Sequence, residues 1–122
     1  MGLGVRRNRA VWVVDDDDAV RDSILVLLQS EGIAARVFAS AGEFLADKDA
    51  LSAACYVLDV HMPGMGGTEL LRHLRAKGVA APIFLLSGRA DAAIRRAAQN
   101  AGATALLNKP NAELLTLIRR VL

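Results

Sequence analysis

Cys55-Tyr56-Val57-Leu58-Asp59-Val60-His61-Met62-Pro63-Gly64-Met65-Gly66-Gly67 is the stretch on which the fold turns. Four apolar or aromatic residues stop abruptly at a carboxylate, Asp59, and a turn rich in glycine and proline follows. A short apolar run bounded by turn residues fits a strand buried on both faces; periodicity alone leaves a buried helix segment open. If it is a strand, Asp59 stands at the rim of a sheet, where the chain emerges into a loop.

The same device recurs along the chain. Ala10-Val11-Trp12-Val13-Val14 ends on Asp15-Asp16-Asp17-Asp18, Pro82-Ile83-Phe84-Leu85-Leu86 ends on Ser87-Gly88, and Thr104-Ala105-Leu106-Leu107 ends on Asn108-Lys109-Pro110. Ile33 to Ala39 is a weaker, alternating β-like piece that carries Arg36, as an edge strand would. Helical spacing fills the intervals. Val20, Ile24, Leu27 and Leu28 share a face after the acidic run, with Asp17 or Asp18 as cap, Gly32 as stop, and Arg21 off that face. Ser40 and Glu43 have the spacing of a capping box, and a short helix through Leu45 follows. Leu70, Leu71 and Leu74 mark a helix from Thr68 to Lys77; Asp91 caps another that runs to about Ala101 and stops at Gly102. The last runs from about Asn111 to the end.

Five strand–helix units predict an α/β fold: a single-domain, doubly wound, five-stranded parallel sheet with helices on both faces. The flavodoxin-like order 2-1-3-4-5 follows, and its switch point lies between strands one and three. That order brings Asp15, Asp16 and Asp59 together, with Ser87 and Lys109 arriving from strands four and five. Three carboxylates so close repel one another unless a cation joins them or some are protonated. Oxygen ligands without Cys or His favour a hard ion, with Mg2+ the most available.

Composition excludes several alternatives. The chain has 122 residues, 53% hydrophobic, with a mean hydropathy of +0.31. That is enough for one domain with its own core. Aromatics are scarce, at 4%, so the expected core is aliphatic. No apolar run approaches the ~18 residues of a membrane span. No signal peptide is visible, and the chain reads as cytoplasmic, with no membrane association. Arg6, Arg7 and Arg9 give residues 1–9 the look of a flexible basic leader before a domain over 10–122. The net charge of +2 is spread without a recognition helix, zinc-finger spacing or aromatic platform, so no nucleic acid binding is expected of this domain. Cys55 is the lone cysteine and reads as an inert core thiol.

At these residues the sequence resembles the receiver domain of two-component response regulators. The resemblance rests on the acidic pair Asp15 and Asp16, the Asp59-x-x-Met62-Pro63-Gly64-x-Gly66-Gly67 signature, Ser87-Gly88 and Lys109-Pro110, and it spans about residues 10–122. It implies that Asp59 accepts a phosphoryl group from a histidine kinase or phosphotransfer protein. It implies that Mg2+ is held by Asp16, Asp59 and the backbone carbonyl of His61, with Asp15 acting through a water. Lys109 would pair with the phosphate, Ser87 would swing towards it, and the Lys109-Pro110 bond would be cis. The implied protein is a regulatory switch, not an enzyme with turnover on an external substrate.

Some positions depart from the family pattern. Leu106 stands where a Tyr or Phe commonly precedes the lysine by three residues, and Asn111 replaces an aromatic after Lys109-Pro110. Leu106 supports the alternative of a constitutive interaction module with a vestigial acidic pocket. His61 and Arg89, two residues after Asp59 and Ser87, stand at the mouth of the site, where the family sets phosphate lifetime. Helix four, strand five and helix five are the expected partner face. A homodimer there would oppose Arg95, Arg96, Arg119 and Arg120 unless Asp91 or Glu113 pair across it, and it stays one option beside an effector domain outside this chain.

Overall fold

A computed structural model of the chain describes residues 9–109 and 112–122. Among them five parallel strands, β1 (Val11–Val14), β2 (Ala35–Phe38), β3 (Cys55–Asp59), β4 (Ile83–Ser87) and β5 (Ala105–Asn108), form one sheet in the order β2-β1-β3-β4-β5. The helices are α1 (Asp18–Ser30), α2 (Ala41–Leu45), α3 (Gly67–Ala76), α4 (Ala92–Ala101) and α5 (Leu114–Val121). The expected doubly wound architecture is therefore the observed one. The leader residues 1–8, Pro110 and Asn111 lie outside the described residues, and with them the cis bond and the start expected for the last helix.

The continuous apolar runs are two interleaved faces, because successive side chains on a strand point to opposite sides. Trp12, Val14, Tyr56, Leu58, Ile83 and Leu85 pack towards Phe44 of α2, Leu70, Leu71 and Leu74 of α3, and Ala98 of α4. Val11, Val13, Cys55, Val57, Phe84 and Leu86 pack towards Ile24 and Leu28 of α1 and Leu114 and Ile118 of α5. Each fully buried Leu or Ile adds about 2–3 kcal/mol of hydrophobic stabilisation.

The core is not purely aliphatic as expected. Phe38, Phe44 and Tyr56 form a chain of edge-to-face contacts, with ring centroids 5.3 Å and 6.0 Å apart. Tyr56 is fully buried; its hydroxyl donates to the Ala50 carbonyl at 2.8 Å and accepts from the Ala53 N–H at 3.3 Å. It thereby ties down a 3-10 turn at Ala50–Ser52 that sequence periodicity did not suggest. Trp12, Phe38, Phe44 and Tyr56 lie on one side of the sheet, and Phe84 lies on the other.

The caps show how local chemistry sets the helix ends. Asp17, rather than Asp18, caps α1, accepting from Val20 N at 3.1 Å. Ser40 accepts from Glu43 N at 3.0 Å, and the Glu43 carboxylate reaches back to Ala39 N, one residue before the capping-box position. Gly102 ends α4 at φ 93°, a left-handed conformation that glycine adopts without strain. There the Arg75 guanidinium donates to Gly102 O at 3.2 and 3.0 Å, to Val79 O at 2.9 Å and to Ala81 O at 2.7 Å. It binds the end of α3, the approach to β4 and the end of α4 into one corner.

Candidate functional site

The order of the strands decides what meets at their carboxyl ends. Val14 of β1 lies opposite Leu58 of β3, so the next residues, Asp15 and Asp59, are neighbours at the switch point. Asp15 N donates to Phe38 O at 3.1 Å, which continues the β1–β2 ladder to the carboxylate. Both acids are buried, Asp15 at 1% and Asp59 at 3% exposure, whereas Asp16 is exposed. Ser87 ends β4 with no exposure, and Lys109 follows β5, its N–H donating to Ser87 O at 2.9 Å.

Lys109 closes the site. Its Nζ lies 2.7 Å from Asp15 Oδ2 and 3.2 Å from Asp59 Oδ1, bridging the acids of two strands from a third. Asp15 Oδ1 accepts from Asp17 N at 2.9 Å and Asp59 Oδ1 from His61 N at 3.3 Å. Ser87 Oγ accepts from Arg89 N at 3.0 Å. His61 and Arg89 are exposed, and with Gly88, Asp91 and Ile94 they line a cleft of about 500 Å³.

The electrostatics follow from burial. Loss of water pushes the Asp59 carboxyl up to about 6; the charge of Asp15 and contact with Asp16 push the same way, against the pull of Lys109. Burial alone would pull the Lys109 ammonium down, but Asp15 and Asp59 outweigh it, and its pKa is raised. Lys109 therefore stays charged beside an acid that ionises reluctantly. By contrast, burial pushes the Cys55 thiol up to about 12, as the expected inert core thiol requires.

The site has room in its charge balance for a divalent cation. Asp15, Asp16 and Asp59 each offer a carboxylate oxygen, all within 4.8 Å of one another. Three carboxylates against one ammonium leave an excess of two negative charges. Asp15 Oδ2 is buried, and apart from its ion pair with Lys109 it receives no hydrogen bond among the described residues. An all-oxygen donor set of this kind fits Mg2+.

The loop after Asp59 is held by a close approach of backbone to backbone. A Cβ on Gly67, the first residue of α3, would stand 2.8 Å from the Asp59 carbonyl carbon and closer still to its oxygen. A Cβ on Gly66 would stand 2.5 Å from Val60 O. The glycine pair lets α3 begin directly against the strand end that carries Asp59.

Sequence spacing missed Arg21. Expected off the apolar face of α1, it turns back to the acidic run: Nη1 donates to Asp15 O at 2.7 Å and Nη2 pairs with Asp18. The available signal was a base three residues after an acid in the first turn of a helix. Leu106 is half-buried on β5 against the α3–α4 layer and borders a groove of about 350 Å³ with Arg95, Ala98, Gln99 and Thr104.

Residues 11–119 match the family model described as the response regulator receiver domain. The chain is 40% identical over 111 residues to the transcriptional regulatory protein FixJ of Azorhizobium caulinodans, covering 89% of this chain and 53% of that one. It is 36% identical over 118 residues to the response regulator protein TodT of Pseudomonas putida, covering 95% and 52%. The chain thus spans about half the length of these two relatives. Among solved structures, the chemotaxis protein CheY4 of Vibrio cholerae superposes with a TM-score of 0.85 at 29% identity, covering 93% of this chain and 98% of that one. The structure described as FixJ-N superposes at 0.80 with 31% identity, covering 94% and 93%. Among the described residues no helix is long and apolar enough to cross a membrane.

Proposed function

The chain belongs to the receiver domains of response regulators, and from that premise we propose that it is a phosphorylation-dependent switch whose acceptor is Asp59. The observation that carries this reading is Lys109 Nζ between Asp15 and Asp59, a fixed positive charge 3.2 Å from the acceptor oxygen. The donor is a phosphohistidine of a sensor histidine kinase or phosphotransfer protein. Asp59 Oδ attacks phosphorus, the P–N bond breaks, and the imidazole leaves with the bonding pair and takes a proton from solvent. The product is an acyl phosphate on Asp59.

Asp16, Asp59 and the His61 carbonyl would hold Mg2+, with Asp15 joining through a water. When bound, the ion supplies positive charge against the transferred phosphoryl oxygens. Lys109 would add a second positive charge, held 3.2 Å from Asp59 Oδ1. Ser87, at the end of the neighbouring strand, has the hydroxyl that would reorient towards the phosphoryl group. The change would spread to the face of α4, β5 and α5, where a partner, a second copy or an effector domain docks. The name of the FixJ relative, a transcriptional regulatory protein, favours the effector domain. Such a signalling component works in the cytoplasm. Leu106 favours a second reading, a constitutive interaction module, because a Leu has no ring to bury or release when Ser87 moves.

Intact mass after incubation with acetyl phosphate, with and without Mg2+, tests the first reading. A Mg2+-dependent gain of one phosphoryl group, absent in Asp59→Ala, is the expected result. No gain in either protein would favour the constitutive module, and a gain that survives in Asp59→Ala would remove Asp59 from its role.

A further inference from the structure

Arg21 is long, charged and placed on the first turn of a surface helix, yet its side chain is only 15% exposed. An arginine three residues after Asp18 could pair with it entirely in solvent. Instead one arm of the guanidinium is spent on a neutral group, the carbonyl oxygen of Asp15, at 2.7 Å, while the other meets Asp18. The identity of that carbonyl matters. Asp15 O belongs to the peptide plane that joins Asp15 to Asp16, and rotating this plane redirects the Asp16 carboxylate. On either side of the plane, Asp15 N donates to Phe38 O and Asp17 N, beyond Asp16, donates to Asp15 Oδ1, but neither bond engages the plane's own carbonyl. Beyond Asp16 the chain is committed to α1 by the Asp17 cap.

We propose that Arg21 is a positioning residue of the acid cluster: by holding the Asp15 carbonyl it fixes the peptide plane from which Asp16 projects, and so sets the affinity for a divalent cation. The inference rests on reading Asp15, Asp16 and Asp59 as a Mg2+ site. It makes a prediction whose sign separates geometry from charge. Arg21 is itself a cation near the cluster, so removing its charge would by Coulomb's law alone tighten Mg2+ binding. Removing a positioning group weakens it, by the ten- to hundredfold typical of residues that orient metal ligands.

The test is an NMR-detected MgCl2 titration of the unphosphorylated protein, following the amide signals of Asp16, Asp17 and His61, with thermal melting beside it. Arg21→Gln is expected to raise the half-saturating Mg2+ concentration about tenfold. Arg21→Lys keeps the charge but has no rigid fork for two acceptors, and is expected to fall between the two. Unchanged or tighter binding in Arg21→Gln, with wild type saturating normally, overturns the positioning role and leaves the cation site standing. If Arg21→Gln melts far below wild type, Arg21→Lys decides alone: affinity equal to wild type overturns the proposal and weaker binding supports it. A wild-type protein with no saturable response overturns the cation site and the proposal together.

Discussion

Two clusters in this molecule have the same composition, one base and two acids, and opposite behaviour. At the switch point Lys109 lies between Asp15 and Asp59, both acids out of water. At the sheet edge Arg36 of β2 pairs with Asp47 and reaches Asp49, with about half of its own side chain in solvent, and its guanidinium also lies over the rings of Trp12 and Phe38 at 5.4 and 5.2 Å. The Asp59 carboxyl is pushed up to about 6, chiefly by burial. The Asp47 carboxyl is held below its ordinary value, chiefly by the Arg36 hydrogen bond and then by the Asp49 N–H. At Asp59 burial outweighs the partner, whereas at Asp47 the partner outweighs burial. A solvated triad gains a modest surface contact, whereas a buried one keeps two carboxylates close together out of water, a repulsion that an added cation would relieve.

The comparison can be broken most severely at Gly67. Gly67→Ala drives a methyl group into the Asp59 carbonyl, and a loss of about 3 kcal/mol of stability is expected in urea titration. Retention of wild-type stability would mean that the β3–α3 junction does not hold Asp59 in place. Next, Lys109→Gln leaves the two buried acids without their base. The rate of mass gain with acetyl phosphate is expected to fall about a hundredfold, as when a preorganised charge-stabilising group is lost.

Asp59→Asn tests the sign. Because the folded pKa of Asp59 lies above 3.8, its ordinary value, the folded state holds the proton more tightly than the unfolded chain. Without divalent cation, this group therefore costs wild type stability as pH rises from about 4 through about 6. Asp59→Asn should melt higher than wild type above pH 7, by an amount equivalent to about 3 kcal/mol, with the gap closing near pH 4. A gap of the opposite sign would make Lys109, not burial, the dominant influence. The smallest effect belongs to the exposed cluster. Asp47 stabilises above its ordinary pKa and loses that contribution as pH falls through its lowered value. Asp47→Asn should lower the melting temperature by no more than about 2 °C at pH 7, and added salt should shrink the difference.

The contrast also shows what a sequence displays and what it conceals. The bounds of β3 were readable because an apolar run was cut by an acid on one side and small residues on the other. The meeting of Asp15, Asp16, Asp59 and Lys109 was readable because each follows such a run and the strand order makes the runs neighbours. Periodicity is a local signal, and contacts that cross the fold escape it. Nothing around Asp47 and Asp49 announced Arg36 as a partner more than ten residues away. Nothing around Tyr56 announced that its hydroxyl closes a 3-10 turn. Gly66 and Gly67 read as turn residues, but the reason for the pair is the carbonyl of Asp59 and its neighbour pressed against them. Arg21 read only as lying off the apolar face of α1, because a helical wheel records which way a side chain leaves the helix, not where a flexible one returns.

The corner made by Arg75 has a durability of its own. Its three acceptor residues, Val79, Ala81 and Gly102, contribute backbone oxygens. An arginine tied to an acid can be released by changing the acid or by protonating it. This one can be released by neither, since every residue carries a carbonyl and none titrates in water. The side chains at Val79 and Ala81 can vary without removing the oxygens that hold Arg75, whereas Gly102 is kept by its left-handed backbone at φ 93°; acid or salt finds no charged partner in the corner to disarm. Every hydrogen bond of that corner shares one donor group, the Arg75 guanidinium.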